Sequence, residues 1–332
     1  MNTGLKITAF AAAITATFGT AYGVGKGVGP VVADKQSAEH AAHGEAKETE
    51  AAAGGGHGGH GGHGDDKAAP AAGGLQISEG GYTLALETPR VTTGDRTQLR
   101  FSIQDDNGRK ITAYEREHGK ELHFIVASRD LTVYRHLHPT RAADGTWSTT
   151  ADLPTAGAYR AFADFKPAKK DASALTLGAD LAVSGDYAPA ELPAPATTTD
   201  VDGYDVTLTG GLRPGKSSEL RLNVAKNGKP VTDLQPYLGA YGHLVALRSG
   251  DLAYLHVHPN GEPDDGTTKP GPDISFSATA PSPGTYRLFL DFQHNGKVRT
   301  AAFTVEAGKA EAEGKTKAEA EAEAEESSGH QH

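Results

Sequence analysis

Residues 82–108 read YTLALETPRVTTGDRTQLRFSIQDDNG, and residues 204–228 repeat the same pattern as YDVTLTGGLRPGKSSELRLNVAKNG. Each stretch starts with a tyrosine-led segment, passes a polar turn, continues with alternating apolar and polar residues and ends at Asn-Gly. Alternation with a period of two is typical of a half-buried strand, and Asn-Gly favours a tight hairpin turn. Both stretches are therefore predicted to form antiparallel β-structure.

The two halves of the chain are an internal duplication. Residues 107–139 align without a gap with residues 227–259, 120 positions later, and each half continues to a similar strand, YRAFADF at 159–165 or YRLFLDF at 286–292. Short alternating strands separated by Gly, Pro, Asn and Asp turns are typical of β-sandwiches. The chain is predicted to be all-β, with two tandem immunoglobulin-like antiparallel β-sandwiches.

The flanking segments have a different composition. An uncharged stretch at 7–25 follows a single lysine, as in an export signal, and is close to the roughly 20 residues that span a bilayer. The tether and the tail have too few large apolar residues to offset their ordering entropy. We expect a signal peptide or membrane anchor (1–33), a disordered His/Gly-rich tether (34–74), the first sandwich (75–187), a Pro-rich linker (188–197), the second sandwich (198–306) and a disordered Ala/Glu-rich tail (307–332). The protein is therefore expected outside the cytoplasm, secreted or anchored to the cell membrane by one N-terminal helix.

The amino-acid composition argues against several kinds of metal site and against one class of partner. The 332 residues include no cysteine and one methionine, which excludes disulfides and thiolate sites and disfavours thioether copper sites. The net charge of −10 argues against nucleic acid as a partner. No hydrolase triad order, phosphate loop or zinc-protease helix motif is visible, so we expect a protein that is not an enzyme.

Two short motifs, HLHP at 136–139 and HVHP at 256–259, each follow another histidine at the same spacing of 13 residues. Two-residue hairpin turns at 129–130 and 249–250 would place that earlier histidine directly opposite the first histidine of the motif, with the second one on the same face. Three neutral imidazoles per repeat could then bind a divalent ion. The predicted ligands are His123, His136 and His138 in the first repeat and His243, His256 and His258 in the second.

The same strand faces also carry apolar residues such as Tyr134 and Tyr254, so the histidines could instead be buried, neutral and hydrogen-bonded. Asp164 and Asp291 match in the two YR strands and could act as a metal ligand, as an acceptor for an imidazole N–H, or as exposed strand carboxylates. Histidines 118 and 294 lack a counterpart in the other repeat and are predicted to be surface residues.

A second candidate metal-binding segment lies in the tether, where GGGHGGHGGHG contains His57, His60 and His63. Glycine leaves the backbone free to wrap an ion, and imidazole suits zinc, copper and nickel. We expect this segment to collect ions with modest selectivity.

The export segment, the His-rich tether and the duplicated H-x12-H-x-H-P sandwiches resemble a group of bacterial exported proteins. More distantly, residues 75–306 are similar to the copper-resistance C-type and YtkA-type immunoglobulin-like domains. This resemblance implies an extracytoplasmic sandwich and a copper site. The copper-resistance C-type proteins use a mature N-terminal histidine, which has no clear equivalent here.

Three functions follow, in order of preference. The first is a non-enzymatic protein that buffers or delivers Cu(II), Zn(II) or Ni(II), with an envelope metal transporter or another envelope protein as partner. The second is a structural or interaction protein of the cell envelope whose histidines are architectural. The third is a copper redox enzyme, since His-x-His on a sandwich strand resembles copper-zinc superoxide dismutases, although their bridging histidine and cysteine pair are missing. The sequence leaves open whether the two triplets form one shared site, two sites or none.

Overall fold

The computed structural model describes residues 72–255 and 257–308. The expected signal or anchor, nearly all of the tether with His57, His60 and His63, and the tail lie outside these residues, as does His256. Among the described residues, no helix has the length and apolar character needed to cross a membrane.

Both repeats are built from β-strands, which confirms the all-β prediction. The strands of the first repeat are β1 (Ser78–Glu79), β2 (Tyr82–Leu86), β3 (Arg90–Thr92), β4 (Gly94–Asp105), β5 (Tyr114–Glu115), β6 (Leu122–Ser128), β7 (Tyr134–Leu137), β8 (Thr140–Arg141), β9 (Trp147–Leu153), β10 (Gly157–Pro167) and β11 (Leu175–Ser184). The strands of the second repeat are β12 (Thr198–Val201), β13 (Tyr204–Thr209), β14 (Ser217–Lys226), β15 (Lys229–Pro230), β16 (His243–Arg248), β17 (Tyr254–Leu255), β18 (Val257–Pro259), β19 (Asp273–Thr279), β20 (Gly284–His294) and β21 (Lys297–Ala307).

Each repeat forms an immunoglobulin-like sandwich of two sheets. In the first repeat, the outer sheet has the order β1-β2-β4-β9-β8 and the inner sheet the order β3-β11-β10-β6-β7, with β5 added to β10. In the second repeat, the inner sheet is β17-β16-β20-β21 and the outer sheet is β12-β13-β14-β19-β18, with β15 added to β14. The closing YR strands, β10 and β20, are therefore interior, because β11 and β21 follow them and pair along their length.

The two inner sheets pack against each other, so that the four sheets enclose three apolar cores. Strand β6 shows that the inner sheet of the first repeat is covered on both faces, since every residue of this strand is buried. Phe124 and Val126 point into the core of the first sandwich, while Ile125 and Ala127, on the opposite face, point into a core shared by the two repeats. Each inner sheet is thus buried on both faces, and the shared face is the one that carries His123.

The contact between the repeats has approximate twofold symmetry. Tyr134 of the first repeat stacks on Phe289 of the second, with ring centres 4.0 Å apart. The equivalent residues with the roles exchanged, Tyr254 and Phe162, lie 5.7 Å apart. Matching residues therefore meet across the interface, as they do in a symmetric homodimer.

The His-bearing hairpins differ from the prediction in register. Ser128 N–H donates to the Val133 carbonyl (2.9 Å) and Arg248 N–H to the Ala253 carbonyl (2.9 Å), so each loop has four residues instead of two. In the first hairpin Ile125, rather than His123, lies opposite His136. The expected direct pairing of His123 with His136 is therefore wrong. A shift of two residues nevertheless leaves both side chains on the predicted face, because side chains alternate with a period of two.

The chain leaves the second hairpin earlier than expected. Strand β17 ends at Leu255, and β18 pairs with β19 in the outer sheet, where His258 lies opposite Ser277. The prediction that His258 shares a face with His243 is therefore wrong. The Asn227-Gly228 turn is confirmed, with positive φ angles of 51° and 71° that fit a tight hairpin turn.

Candidate metal centre

Five imidazoles gather where the inner sheets meet. His123 on β6, His136 on β7 and His243 on β16 place ligand nitrogens within 4.8 Å of one another. The rings of His118 and His138 belong to the same cluster, whose neighbouring ring centres are 4.6–6.3 Å apart. The first repeat contributes four of these histidines and the second repeat contributes His243, so the cluster is shared between the repeats.

His136 is oriented by a carboxylate from the other repeat. Its Nδ1–H donates to Asp291 Oδ2 over 2.8 Å, and both side chains are almost fully buried. Asp291 Oδ1 accepts a second hydrogen bond from the Thr300 hydroxyl, at 2.5 Å. An ionised carboxylate only accepts hydrogen bonds, so Nδ1 of His136 carries a proton, and in the neutral ring Nε2 carries a lone pair. Asp291 therefore takes the role of an acceptor for an imidazole N–H.

His123 is oriented by the backbone. Its Nε2–H donates to the Glu117 carbonyl over 3.3 Å, which leaves the lone pair on Nδ1. That Nδ1 lies 3.1 Å from Nε2 of His136. Two lone pairs therefore face each other at the distance of a hydrogen bond, with both ring protons used elsewhere. Between two neutral rings, this contact needs a cation shared by the two nitrogens, either a proton or a metal ion.

Two further nitrogens of the cluster are buried without a hydrogen-bond partner among the described residues, Nε2 of His138 and Nδ1 of His243. Burial, followed by the nearby His136, lowers the pKa of His138 to about 4 and that of His243 well below its usual value. The same two causes lower the pKa of His123 to about 3. These rings are therefore kept neutral, which is the state in which imidazole binds metal ions.

The donor set fits a divalent transition metal. Imidazole nitrogens suit Zn(II), Cu(II) and Ni(II), and the carboxylate that fixes His136 is a common partner of metal-binding histidines. An ion 2.0–2.1 Å from each nitrogen requires nitrogens about 3.3 Å apart. The 3.1 Å separation of the His123–His136 pair is already close to this value, and the ligand nitrogens of His123, His136 and His243 all lie within 4.8 Å of one another.

The other predicted ligands lie elsewhere or outside the described residues. Asp164, the counterpart of Asp291, accepts a hydrogen bond from the Thr176 hydroxyl (3.0 Å), and burial raises its pKa to about 6. His258 lies on the outer sheet. The predicted ligands that the structure brings together are His123, His136, His138 and His243, with Asp291 behind His136.

Two residues at the edge of the cluster could not be recognised from the sequence. His118, predicted as a surface residue, is exposed but lies 6.2 Å from His123 and 6.3 Å from His243, measured between ring centres. Tyr237 of the second repeat lies 6.1 Å from His138, and burial raises its pKa. In contrast, His294, also predicted at the surface, is buried and bonded to the Tyr204 hydroxyl (2.7 Å), so that prediction is wrong.

Both halves of the chain match one protein family, described as a domain of unknown function, DUF8832, over residues 76–178 and 199–309. The chain belongs to this family. The two DUF8832 matches cover most of the two sandwiches and include all the histidines of the cluster. No curated protein matches the chain.

Similar solved structures include the Escherichia coli adhesin FdeC, at 15% identity and a TM-score of 0.22, with 70% of this chain and 65% of the adhesin covered. A DUF4426 family protein from Pseudomonas aeruginosa matches at 11% identity and a TM-score of 0.24, over 33% of this chain and 96% of its own. A mutant of Salmonella alpha-2-macroglobulin matches at 13% identity and a TM-score of 0.24, over 73% of this chain and 15% of its own. The DUF8832 chain thus spans just under two thirds of the adhesin.

Proposed function

We propose that this DUF8832 protein is a non-enzymatic, extracytoplasmic metal-binding protein that holds one Cu(II), Zn(II) or Ni(II) ion between its two repeats. The function would be to buffer the ion or to deliver it to an envelope partner. The observation that carries the proposal is the 3.1 Å contact between Nδ1 of His123 and Nε2 of His136, whose ring protons are bound by Glu117 and Asp291 on their far sides.

A proton is a poorer occupant of this position than a metal ion. One proton can bridge two nitrogens, whereas the four histidines of the cluster other than His118 present four, and two of these nitrogens have no hydrogen-bond partner among the described residues. A buried polar atom without a partner costs about 1–3 kcal/mol. A single divalent ion can accept all four lone pairs, because zinc, copper and nickel bind several imidazoles at once.

Metal content tests the proposal in a full-length chain whose histidines outside the sandwiches are replaced by serine. These are His40, His43, His57, His60, His63, His330 and His332. We expect one ion per chain after dialysis against Cu(II), Zn(II) or Ni(II). His136→Ala and His243→Ala should each remove it, since the two repeats share the site.

His258→Ala is the matched control, because His258 belongs to the same repeated motif but lies on the outer sheet. This variant should retain the ion. A parent chain without stoichiometric metal, or a His136→Ala variant that keeps its ion, would show that the cluster is not a metal site.

The architectural alternative also has an observation in its favour. The histidines continue the apolar core between the repeats, and the rings of His123 and His243 lie nearly parallel, 5.5 Å apart. On this alternative, a chelator leaves the melting temperature of the parent unchanged, and His243→Ala lowers it equally with and without chelator. On the metal proposal, the ion stabilises the fold because it binds only the folded state, and chelator alone lowers the melting temperature.

A further inference from the structure

We propose that His118 is an exchange ligand through which the ion enters and leaves the shared centre. This inference rests on the proposed function and adds the route of metal transfer. The ion would come from, or pass to, a donor with imidazole or carboxylate ligands, with His118 binding it transiently at the surface.

The position of His118 supports this role. It is exposed, whereas His123 is buried and His136, His138 and His243 are at most partly exposed. Its ring centre lies 6.2 Å from that of His123 and 6.3 Å from that of His243, one histidine from each repeat. Two imidazoles bound to one ion at 2.0–2.1 Å have ring centres about 5–6 Å apart. His118 is therefore within a small side-chain rotation of sharing an ion with either buried histidine.

The backbone fixes His118 in this position. Residues 117–120 form a tight turn closed by two hydrogen bonds between Glu117 and Lys120, of 2.9 and 3.1 Å. His118 and Gly119 both have positive φ angles, 50° and 75°, as in hairpin turns of the primed type. The carbonyl of Glu117 in this turn also accepts the hydrogen bond from Nε2 of His123. One turn thus orients a buried ligand and holds the exposed histidine beside it.

The second repeat shows that this turn does not require histidine. Its equivalent, residues 237–240, has Leu238 at φ 56° and Gly239 at φ 77°. The two turns meet over the cluster, since a Cβ at Gly239 would lie 3.8 Å from the Cα of His118. Leucine is therefore compatible with the backbone that His118 adopts, and histidine at this point adds an imidazole on one side of the junction between the two turns only.

Exchange through His118 is chemically balanced. A neutral imidazole replaces another neutral imidazole on the ion, so the ion keeps its charge and no redox partner is needed. An ion held by four buried nitrogens leaves slowly when a bond must break before a new one forms. A fifth imidazole at the junction between the two turns lets the incoming bond form first, which lowers the barrier in both directions.

The test measures transfer rates in the full-length chain that carries the serine substitutions described above, loaded with one equivalent of Zn(II) or Cu(II). A chromophoric chelator receives the ion, and stopped-flow absorbance gives the rate. His118→Leu reproduces the second-repeat turn. We expect this variant to keep one ion per chain and an unchanged Kd, while release and uptake both slow by about tenfold, which corresponds to about 1.4 kcal/mol of barrier height.

The reciprocal variant Leu238→His places an imidazole on the opposite turn and should speed transfer, so the proposal stays testable if His118→Leu folds poorly. Equal rates in parent and His118→Leu would overturn the inference. A weaker Kd with faster release would overturn it too, because it would make His118 a resident ligand. Failure of the proposed function looks different, since the parent with His118 intact would then bind no stoichiometric ion.

Discussion

Replacing Asp291 by alanine should weaken metal binding by about 10–100-fold, the usual effect of losing a carboxylate behind a metal-binding histidine. This corresponds to about 1.4–2.7 kcal/mol of binding free energy. The reason lies in the tautomer of His136. Its Nδ1–H donates to Asp291 over 2.8 Å in a site where both side chains are almost fully buried. Without this acceptor, the proton can move to Nε2 and occupy the lone pair that would bind the ion.

The Asp291→Asn variant removes the negative charge of this side chain but can keep its hydrogen bonds. The amide oxygen can accept from His136 Nδ1–H while the amide NH2 donates to the Thr300 hydroxyl, so the hydrogen bonds that Asp291 makes now can be kept. We therefore expect a loss of affinity below about tenfold in this variant. Isothermal titration calorimetry at neutral pH, with a competing chelator to bring the affinity into range, measures both variants against the parent.

A double-mutant cycle with His136→Ala gives the control. When His136 is absent, Asp291→Ala should cause no further loss of any residual binding, since Asp291 acts through His136. If Asp291→Ala binds the ion as tightly as the parent does, then Nε2 of His136 is not a ligand and the argument from its tautomer is wrong.

Three further predictions concern stability. Phe289→Ala removes the ring that stacks on Tyr134 in the core between the repeats and should lower the free energy of unfolding by about 3–5 kcal/mol, as measured by urea denaturation; a loss below about 1 kcal/mol would mean that the repeats do not pack as described. In the chelator-treated chain, the folded-state pKa of about 3 for His123 lies below the value of about 6.5 of an unfolded histidine. The unfolded state therefore binds the extra proton, and stability should fall as the pH drops from about 6.5 toward 3, by about 1.4 kcal/mol per pH unit for this residue; equal unfolding free energies at about pH 7 and pH 5 would contradict this. Gly178→Ala would place a Cβ 2.0 Å from the Gly74 carbonyl oxygen and should destabilise the chain by about 1–3 kcal/mol, a shift that thermal unfolding would detect.

The strands and the duplication could be predicted from the sequence because their signals are local. Alternation with a period of two and the Asn227-Gly228 turn depend on neighbouring residues only. The same period explains why the face of His123 and His136 was predicted correctly even though the hairpin loop has four residues. A register error of two residues changes which residues lie opposite each other but not which face they occupy.

The composition of the site could not be predicted, because it depends on how the repeats dock. His136 and Asp291 are 155 positions apart and meet only when the two inner sheets pack together. The orientation of His123 depends on a backbone carbonyl, that of Glu117, and any residue type supplies a carbonyl. His258 follows the same short motif as His138, yet β18 joins the outer sheet, and its spacing within the motif does not reveal that change of sheet.

The approximate twofold contact between the repeats has a consequence for how such a centre can change. If two separate copies of one repeat made this contact, every substitution would appear on both sides of the axis, and the ligands near it would always come in pairs. Covalent duplication removes that restriction. His118 stands where the other repeat has Leu238, so one copy can carry an imidazole where the two turns meet while the other copy keeps an apolar side chain, and each turn can be altered without altering the other.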